Sequence, residues 1–377
     1  MRKIVFAAAL CLLLCASIVR AAEPYKVGAV FAVTGPAALL GEPERNTVMM
    51  LAGQINAAGG INGHPLEVII EDTEGDEAKA VLKVKKLISS DKVAAIIGPT
   101  RSGTTMAAIP LVEKAQIPMI SCAAAEDIVK PVKKWVFKTP QSDADAVRRI
   151  YEKMKEMKLT KAAVMSGTTG FGTAGREQLK KFAPEYGITI VADETYGPKD
   201  TDMTAQLTKI KGTDAQAIIN WEIVPAQTTV MKNKKQLGIT VPLFQSHGFG
   251  NIKYAQDAGD AAEGVLFPCG LLFAVDTLPD SNLQKPVLAA YRKAYEEKFK
   301  TDVSAFGGYA WDALSLVVEA LRAVGPDSAK IRDYIEQKKN FAGVSGVFNY
   351  SAEDHCGLNK MSFAMLTIKD GKIVVAK

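Results

Sequence analysis

Strand-length apolar runs alternate with helix-length amphipathic segments along almost the whole chain, and this alternation limits the fold more than any other feature. Residues 27–33 read as a strand, and Val48, Leu51, Ala52 and Ile55 form the apolar stripe of the helix that follows. Residues 66–70 are the next strand. Val81, Val84, Leu87 and Ile88 mark the next helix, over 78–88. A strand at 93–97, a helix at 106–114 and a strand at 117–120 continue the pattern. Repeated βα units imply a parallel sheet covered by helices on both faces, an α/β fold.

A second cycle of the same design follows. Helices are expected over 143–157, 176–182, 204–210 and 226–237, and strands over 162–165, 188–192, 217–219 and 241–244. The segment 276–282 is turn-rich. Three helical stretches come after it, at 286–299, 309–324 and 329–338. Two antiparallel-looking strands, 346–350 and 361–368, and an Asp370-Gly371 turn close the chain. With 377 residues there is room for two or three domains.

The first residues follow a different logic. Arg2 and Lys3 precede an uncharged run over 4–19, and Ala21 and Ala22 follow it. That is the charged, apolar and small-residue order of a secretory signal peptide, cleaved near Ala21, which directs the protein to the periplasm. The run is too short for a spanning helix, which needs about 20 residues. The formal net charge is +5, but Arg2, Lys3 and Arg20 belong to the leader, so the rest is nearly balanced and gives no nucleic-acid footprint. Hydrophobic residues at 48% and charged residues at 23% exclude a disordered chain.

Export leaves Cys122, Cys269 and Cys356, an odd number, so at least one has no partner within the chain. Cys269 with Cys356 is one pairing left open, since spacing alone cannot show that two Cβ atoms meet. Most enzymatic chemistry lacks its residues. The three histidines, His64, His247 and His355, are far apart, and HExxH, GxSxG and Walker A motifs are absent. No metal site or cofactor is expected. The acidic run 71–77 lacks the central Gly and late Glu of a calcium loop and reads as a solvated strand-to-helix connection. A secreted hydrolase using Cys122 or His247 is the one catalytic alternative.

One segment suggests binding. The strand at 93–97 runs into Gly98-Pro99, and Thr100-Arg101-Ser102-Gly103-Thr104-Thr105 opens a helix. Free N–H groups, hydroxyls and the helix dipole favour an anion there, although a serine that merely caps its helix would look the same. Ligands of open parallel sheets bind beyond the carboxyl ends of strands, where this segment and Ser121-Cys122-Ala123-Ala124-Ala125 both fall.

Val33-Thr34-Gly35-Pro36, the run over 55–63 (INAAGGING), 94–105 (AAIIGPTRSGTT), 117–124 (IPMISCAA), Phe171-Gly172 and Trp311-Asp312-Ala313 together resemble the periplasmic leucine/isoleucine/valine-binding protein family. The resemblance implies a type I periplasmic binding protein: two doubly wound lobes joined by a three-strand hinge. Lobe 1 would comprise residues 22–142 plus 272–345, and lobe 2 residues 143–271 plus 346–377. It further implies a monomeric receptor that closes on a small ligand and delivers it to an ABC permease. A ligand sensor of the same fold is the alternative.

Site residues follow from the same resemblance. Ser102 would hold a ligand carboxylate, Ala123 would present a carbonyl, and Ala125 a backbone N–H, without the hydroxyl often found there. Phe171 matches a pocket tyrosine. His247 falls where amino-acid-binding members carry a Glu for the α-ammonium, and a neutral imidazole cannot replace a carboxylate facing a cation. Glu222 is the nearby acid that could substitute, and Trp221 could form an apolar wall with Phe171. The expected ligand is therefore a small aromatic or aliphatic carboxylate, with a branched-chain or other amino acid as the competing class.

Overall fold

The computed structural model describes residues 22–376. The expected signal peptide, 1–21, lies outside them. Two parallel-stranded sheets organise the chain. The first is built from β1 (Tyr25–Phe31), β2 (Leu66–Asp72), β3 (Ala95–Ile97), β4 (Met119–Ser121) and β5 (Val136–Lys138), in the order β2-β1-β3-β4-β5. All four pairings are parallel. Val27, Phe31, Ile96, Ile97, Ile120 and Phe137 are fully buried, as strands covered on both faces require. The covering helices of this half include α1 (Ala38–Ala57), α2 (Glu77–Lys86) and α3 (Ser102–Ala115).

The second sheet begins after α4 (Asp143–Glu156). Its parallel strands are β6 (Lys161–Gly167), β7 (Thr189–Tyr196), β8 (Ala217–Trp221), β9 (Leu243–Gln245) and β10 (Leu266–Cys269). Between them run α5 (Gly170–Phe182), α6 (Thr204–Lys211), α7 (Ala226–Gln236) and α8 (Ile252–Ala258). Helices α9 (Lys285–Phe299), α10 (Ala305–Val324) and α11 (Ser328–Glu336) then return to the first sheet. There α10 lies along α1, and the Tyr291 hydroxyl of α9 meets the Thr47 hydroxyl of α1 at 3.0 Å.

The closing strands differ from the sequence expectation. They do not pair with each other. Instead β11 (Phe341–Ala342) forms a small hairpin with β12 (Val347–Phe348). The later strand, β13 (Ala364–Lys369), lies antiparallel to β10 on one side and to β14 (Lys372–Val375) on the other. Sheet two therefore runs β14-β13-β10-β9-β8-β6-β7.

The chain passes between the sheets three times: after β5, after β10 and between β12 and β13. Side chains tie these passages together. The Gln141 amide donates to the Ser345 carbonyl at 2.6 Å, joining the first passage to the turn of the β11–β12 hairpin. A Cβ on Gly270, in the second, would lie 3.0 Å from the same Gln141 amide nitrogen. Tyr350 donates its hydroxyl to the Lys138 carbonyl at 3.0 Å.

The acidic run 71–77 serves structure. Glu71 pairs with Lys83 and Lys86. Asp72 accepts the Thr34 hydroxyl at 2.6 Å, and Asp76 caps α2 by accepting the Lys79 N–H at 2.8 Å. All three cysteines of the described residues are buried free thiols, so Cys269 and Cys356 are not joined.

Candidate functional site

Two helices aim their N-termini at the space between the sheets. Helix α3 opens with Ser102 directly after β3, and α5 opens with Gly170 and Phe171 directly after β6. Their first turns abut: a Cβ built on Gly170 would meet the Cα and N of Gly103 at 2.9 Å. Each opening is held in place locally. Thr169 caps α5 by accepting the Gly172 N–H at 3.1 Å, and the Thr104 hydroxyl donates to the Arg101 carbonyl at 2.9 Å. Two partial positive charges therefore face one enclosed space.

That space is a cavity of about 20 Å³, lined on the first-sheet side by Leu40, Thr100, Ser102, Cys122, Ala123, Ala124, Phe306 and Tyr309. Phe171, Ile223, His247 and Gly248 close it from the other side. It holds little more than a water molecule, so a ligand can enter only with the sheets moved apart. No Asp, Glu, Lys or Arg lines it.

The structure brings Ser102, Ala123, Phe171 and His247 together on this cavity. Ala125 stands just behind, with its N–H donated to the Ser102 hydroxyl at 3.3 Å. The remaining two residues singled out from sequence stand elsewhere. Trp221 is fully buried but does not line the cavity; it packs 5.7 Å, between ring centroids, from both Phe171 and His247. Ile223, two residues on, supplies the apolar wall instead. Glu222 turns away, its carboxylate accepting the Thr169 hydroxyl at 3.0 Å and the Ile223 N–H at 2.8 Å. Burial raises its pKa, against the Ile223 and Thr169 hydrogen bonds and the Arg101 charge.

His247 is buried, and neither ring nitrogen has a hydrogen-bond partner. Burial, with the Lys138 charge as a lesser cause, lowers its pKa to about 3, so the ring is neutral at physiological pH. Burial and then the Glu44 charge push the Cys122 thiol well above its usual value. No hydrogen bond joins Cys122 to His247 among the described residues, so nothing there generates a thiolate nucleophile.

Further residues complete the site, and Phe306, Tyr309 and Lys138 among them were not singled out from sequence. Thr100 donates its hydroxyl to the buried Glu44 carboxyl and accepts the Ala32 N–H at 2.9 Å. Phe306 and Tyr309 reach the cavity from the start of α10. Their distance in sequence from the first-sheet strands hid them. Lys138 is fully buried, and its ammonium donates to the Ala124 carbonyl at 2.5 Å.

Comparison with known proteins agrees with this architecture. The family model of the periplasmic binding proteins matches residues 24–372. The leucine-, isoleucine-, valine-, threonine- and alanine-binding protein of Pseudomonas aeruginosa is 28% identical over 82% of this chain and 81% of its own. An extracellular ligand-binding receptor from Rhodopseudomonas palustris HaA2 superimposes with a TM-score of 0.88 at 28% identity, covering 94% of this chain and all of that one. The branched-chain amino acid transporter substrate-binding protein LivJ of Streptococcus pneumoniae, solved with isoleucine, gives 0.84 at 28% identity, covering 94% and 99%. With its two wound sheets, three passages and a cavity between opposed helix ends, the chain belongs to the periplasmic binding protein family, among the Leu/Ile/Val-binding type of substrate-binding receptor.

Proposed function

We propose that this protein is the periplasmic receptor of an ABC importer and captures a small carboxylate with an apolar or aromatic body. The single observation that carries the ligand class is the uncharged cavity wall: Ser102 and the α3 N-terminus can receive an anion, but no ionised acid faces the interior. The ligand carboxylate accepts from the Ser102 hydroxyl and the first free N–H groups of α3. Phe171, Ile223, Leu40 and Phe306 take its apolar body. An α-ammonium would instead face neutral His247, and an ammonium buried without an anionic partner costs several kcal/mol.

The protein works as a monomer and performs no covalent chemistry on its ligand. Residues 22–142 with 272–345 close against 143–271 with 346–377, turning about the three passages. Ligand contacts to both halves select the closed form. The closed surface is then read by a membrane permease.

A branched-chain amino acid is the second reading, and the names of the Pseudomonas and Streptococcus relatives favour it. Paired calorimetry decides between the two, using leucine against 4-methylpentanoate and phenylalanine against 3-phenylpropanoate. The expected result is binding of an acid with no response to its amino analogue. Tight binding of either amino acid, with its deaminated partner silent, establishes the second reading.

A further inference from the structure

Lys138 ends β5 at the first passage between the sheets, and its side chain is fully buried. A buried ammonium normally sits against a carboxylate. This one does not: among the described residues no acid lies within 4.0 Å of it, and its hydrogen bond goes to the Ala124 carbonyl. Ala124 lines the cavity. The ammonium therefore stands directly behind the wall that the ligand meets.

The acids around Lys138 feel its charge but make no direct ion pair with it. Burial raises the Asp143 pKa to about 6 and the Lys138 charge opposes that rise, while the Asp143 Oδ1 accepts the N–H groups of Glu126 and Ala144, at 3.0 and 2.8 Å. Its Oδ2 is buried without a partner. Asp145 pairs with Arg148. Across the cavity, burial and, to a lesser degree, the Lys138 charge hold His247 neutral. The α3 and α5 N-termini add their own positive ends on the same space.

We propose that Lys138 is the specificity-determining counter-charge of this receptor: a buried cation one residue behind the cavity wall that selects ligands by their carboxylate without touching them. This rests on the reading of the site as a carboxylate pocket. Binding an anion adds a negative charge on the cavity side of the buried ammonium, so closure and charge recognition are coupled through one residue at the hinge. The Ala124 carbonyl, held by the ammonium, is also withdrawn as an acceptor for a ligand N–H.

The test compares each acid with its own primary amide, which keeps shape and removes charge: 4-methylpentanoate with 4-methylpentanamide, and leucine with leucinamide. Calorimetry is run on the full-length mature protein and on Lys138→Met, Lys138→Gln and Lys138→Arg. The expected result is that Met or Gln reduces the acid-over-amide preference roughly tenfold or more, while Arg preserves it. Gln serves should the Met variant fail to fold. Equal weakening of acid and amide would show that Lys138 is only a structural prop and would overturn the proposal. The wild-type choice between leucine and 4-methylpentanoate decides the ligand class separately. The acid-over-amide ratio, in whichever series binds, decides the role of Lys138.

Discussion

The carboxylate of Asp312 accepts the backbone N–H of Ser345 at 2.7 Å, and its second oxygen accepts that of Val344 at 2.6 Å. One side chain of α10 thus holds the turn of the β11–β12 hairpin, just before the chain leaves for the second sheet. The Ser345 carbonyl is taken by Gln141 in turn. Burial pushes the Asp312 pKa up to about 7, against the two N–H donors that favour its charged form. Asp312→Ala should destabilise the fold by about 1–3 kcal/mol for each N–H left buried and unpaired. Asp312→Asn, which keeps one acceptor, should cost less. Denaturant melts of both variants check the ranking, and equal stabilities would show that the clamp contributes nothing.

Ser102→Ala removes a hydroxyl that faces the cavity and accepts the Ala125 N–H. Ligand affinity should fall by about ten- to a hundredfold, the worth of a hydrogen bond to a charged group of about 1.5–3 kcal/mol. The melting temperature without ligand should stay near wild type. Unchanged affinity by calorimetry removes Ser102 from the site.

Gly170 and Gly103 meet where the two helix ends abut. Gly170→Ala places a methyl group 2.9 Å from Gly103 backbone atoms, while alanine suits a helix better than glycine. The variant should be as stable as wild type without ligand and should bind at least about tenfold more weakly, because the sheets cannot approach fully. Small-angle scattering with saturating ligand should show incomplete compaction. Wild-type affinity would mean that this contact does not limit closure.

His247→Glu introduces a carboxylate on the cavity wall opposite Ser102. The preference between 4-methylpentanoate and leucine should shift toward leucine by roughly tenfold or more, since the new anion pairs with an ammonium and repels a second carboxylate. An unchanged preference in a folded variant places the ligand's α-position away from residue 247.

The His247 ring also gives a pH signature. Its folded pKa of about 3 lies below the ordinary value of 6.5, so the fold prefers the neutral ring. Its contribution is fully present above pH 6.5 and is lost as pH falls from there toward 3. Relative to His247→Gln, wild type should lose up to about 1.4 kcal/mol per pH unit across that window. Parallel stability curves for the two proteins would show that the ring gains its proton freely in the fold.

Much of the fold was legible because apolar periodicity is imposed by the layers themselves. What escaped was local. Strand β5, the three residues Val136–Lys138, is too short to show alternation, and it ends in a lysine that no pattern places in a core. Strand β10 contains Pro268, which normally argues against an interior strand. It is tolerated here because β10 meets β9 at a single register position, Leu266 opposite Phe244. Helices α3 and α5 begin a turn or more before their apolar stripes, since their glycine, serine and threonine openings serve the cavity. Of the cavity lining, Ser102 and Ala123 were legible from a motif, and His247 from its departure from one. Trp221 and Glu222 stand off the cavity because Trp221 ends β8 and packs behind Phe171 and His247, the Glu222 carboxylate turns to Thr169, and Ile223 supplies the wall there. Phe306 and Tyr309 arrive from a helix far along the chain, which one-dimensional reading cannot bring beside β3 and β4.

Strand β10 also bears on how the chain is made. Its partner on one side, β13, pairs Leu366 with Phe267 and comes far later in the chain. When the first 270 residues exist, five strands of the second sheet are present, but the β10 edge has no neighbour on its outer side. An apolar edge with free N–H and C=O groups is a template for any other chain. About a hundred more residues, including three helices belonging to the other half, must follow before it is covered. The newborn protein therefore passes through an interval in which aggregation competes with completion, and its own chain order sets the length of that interval.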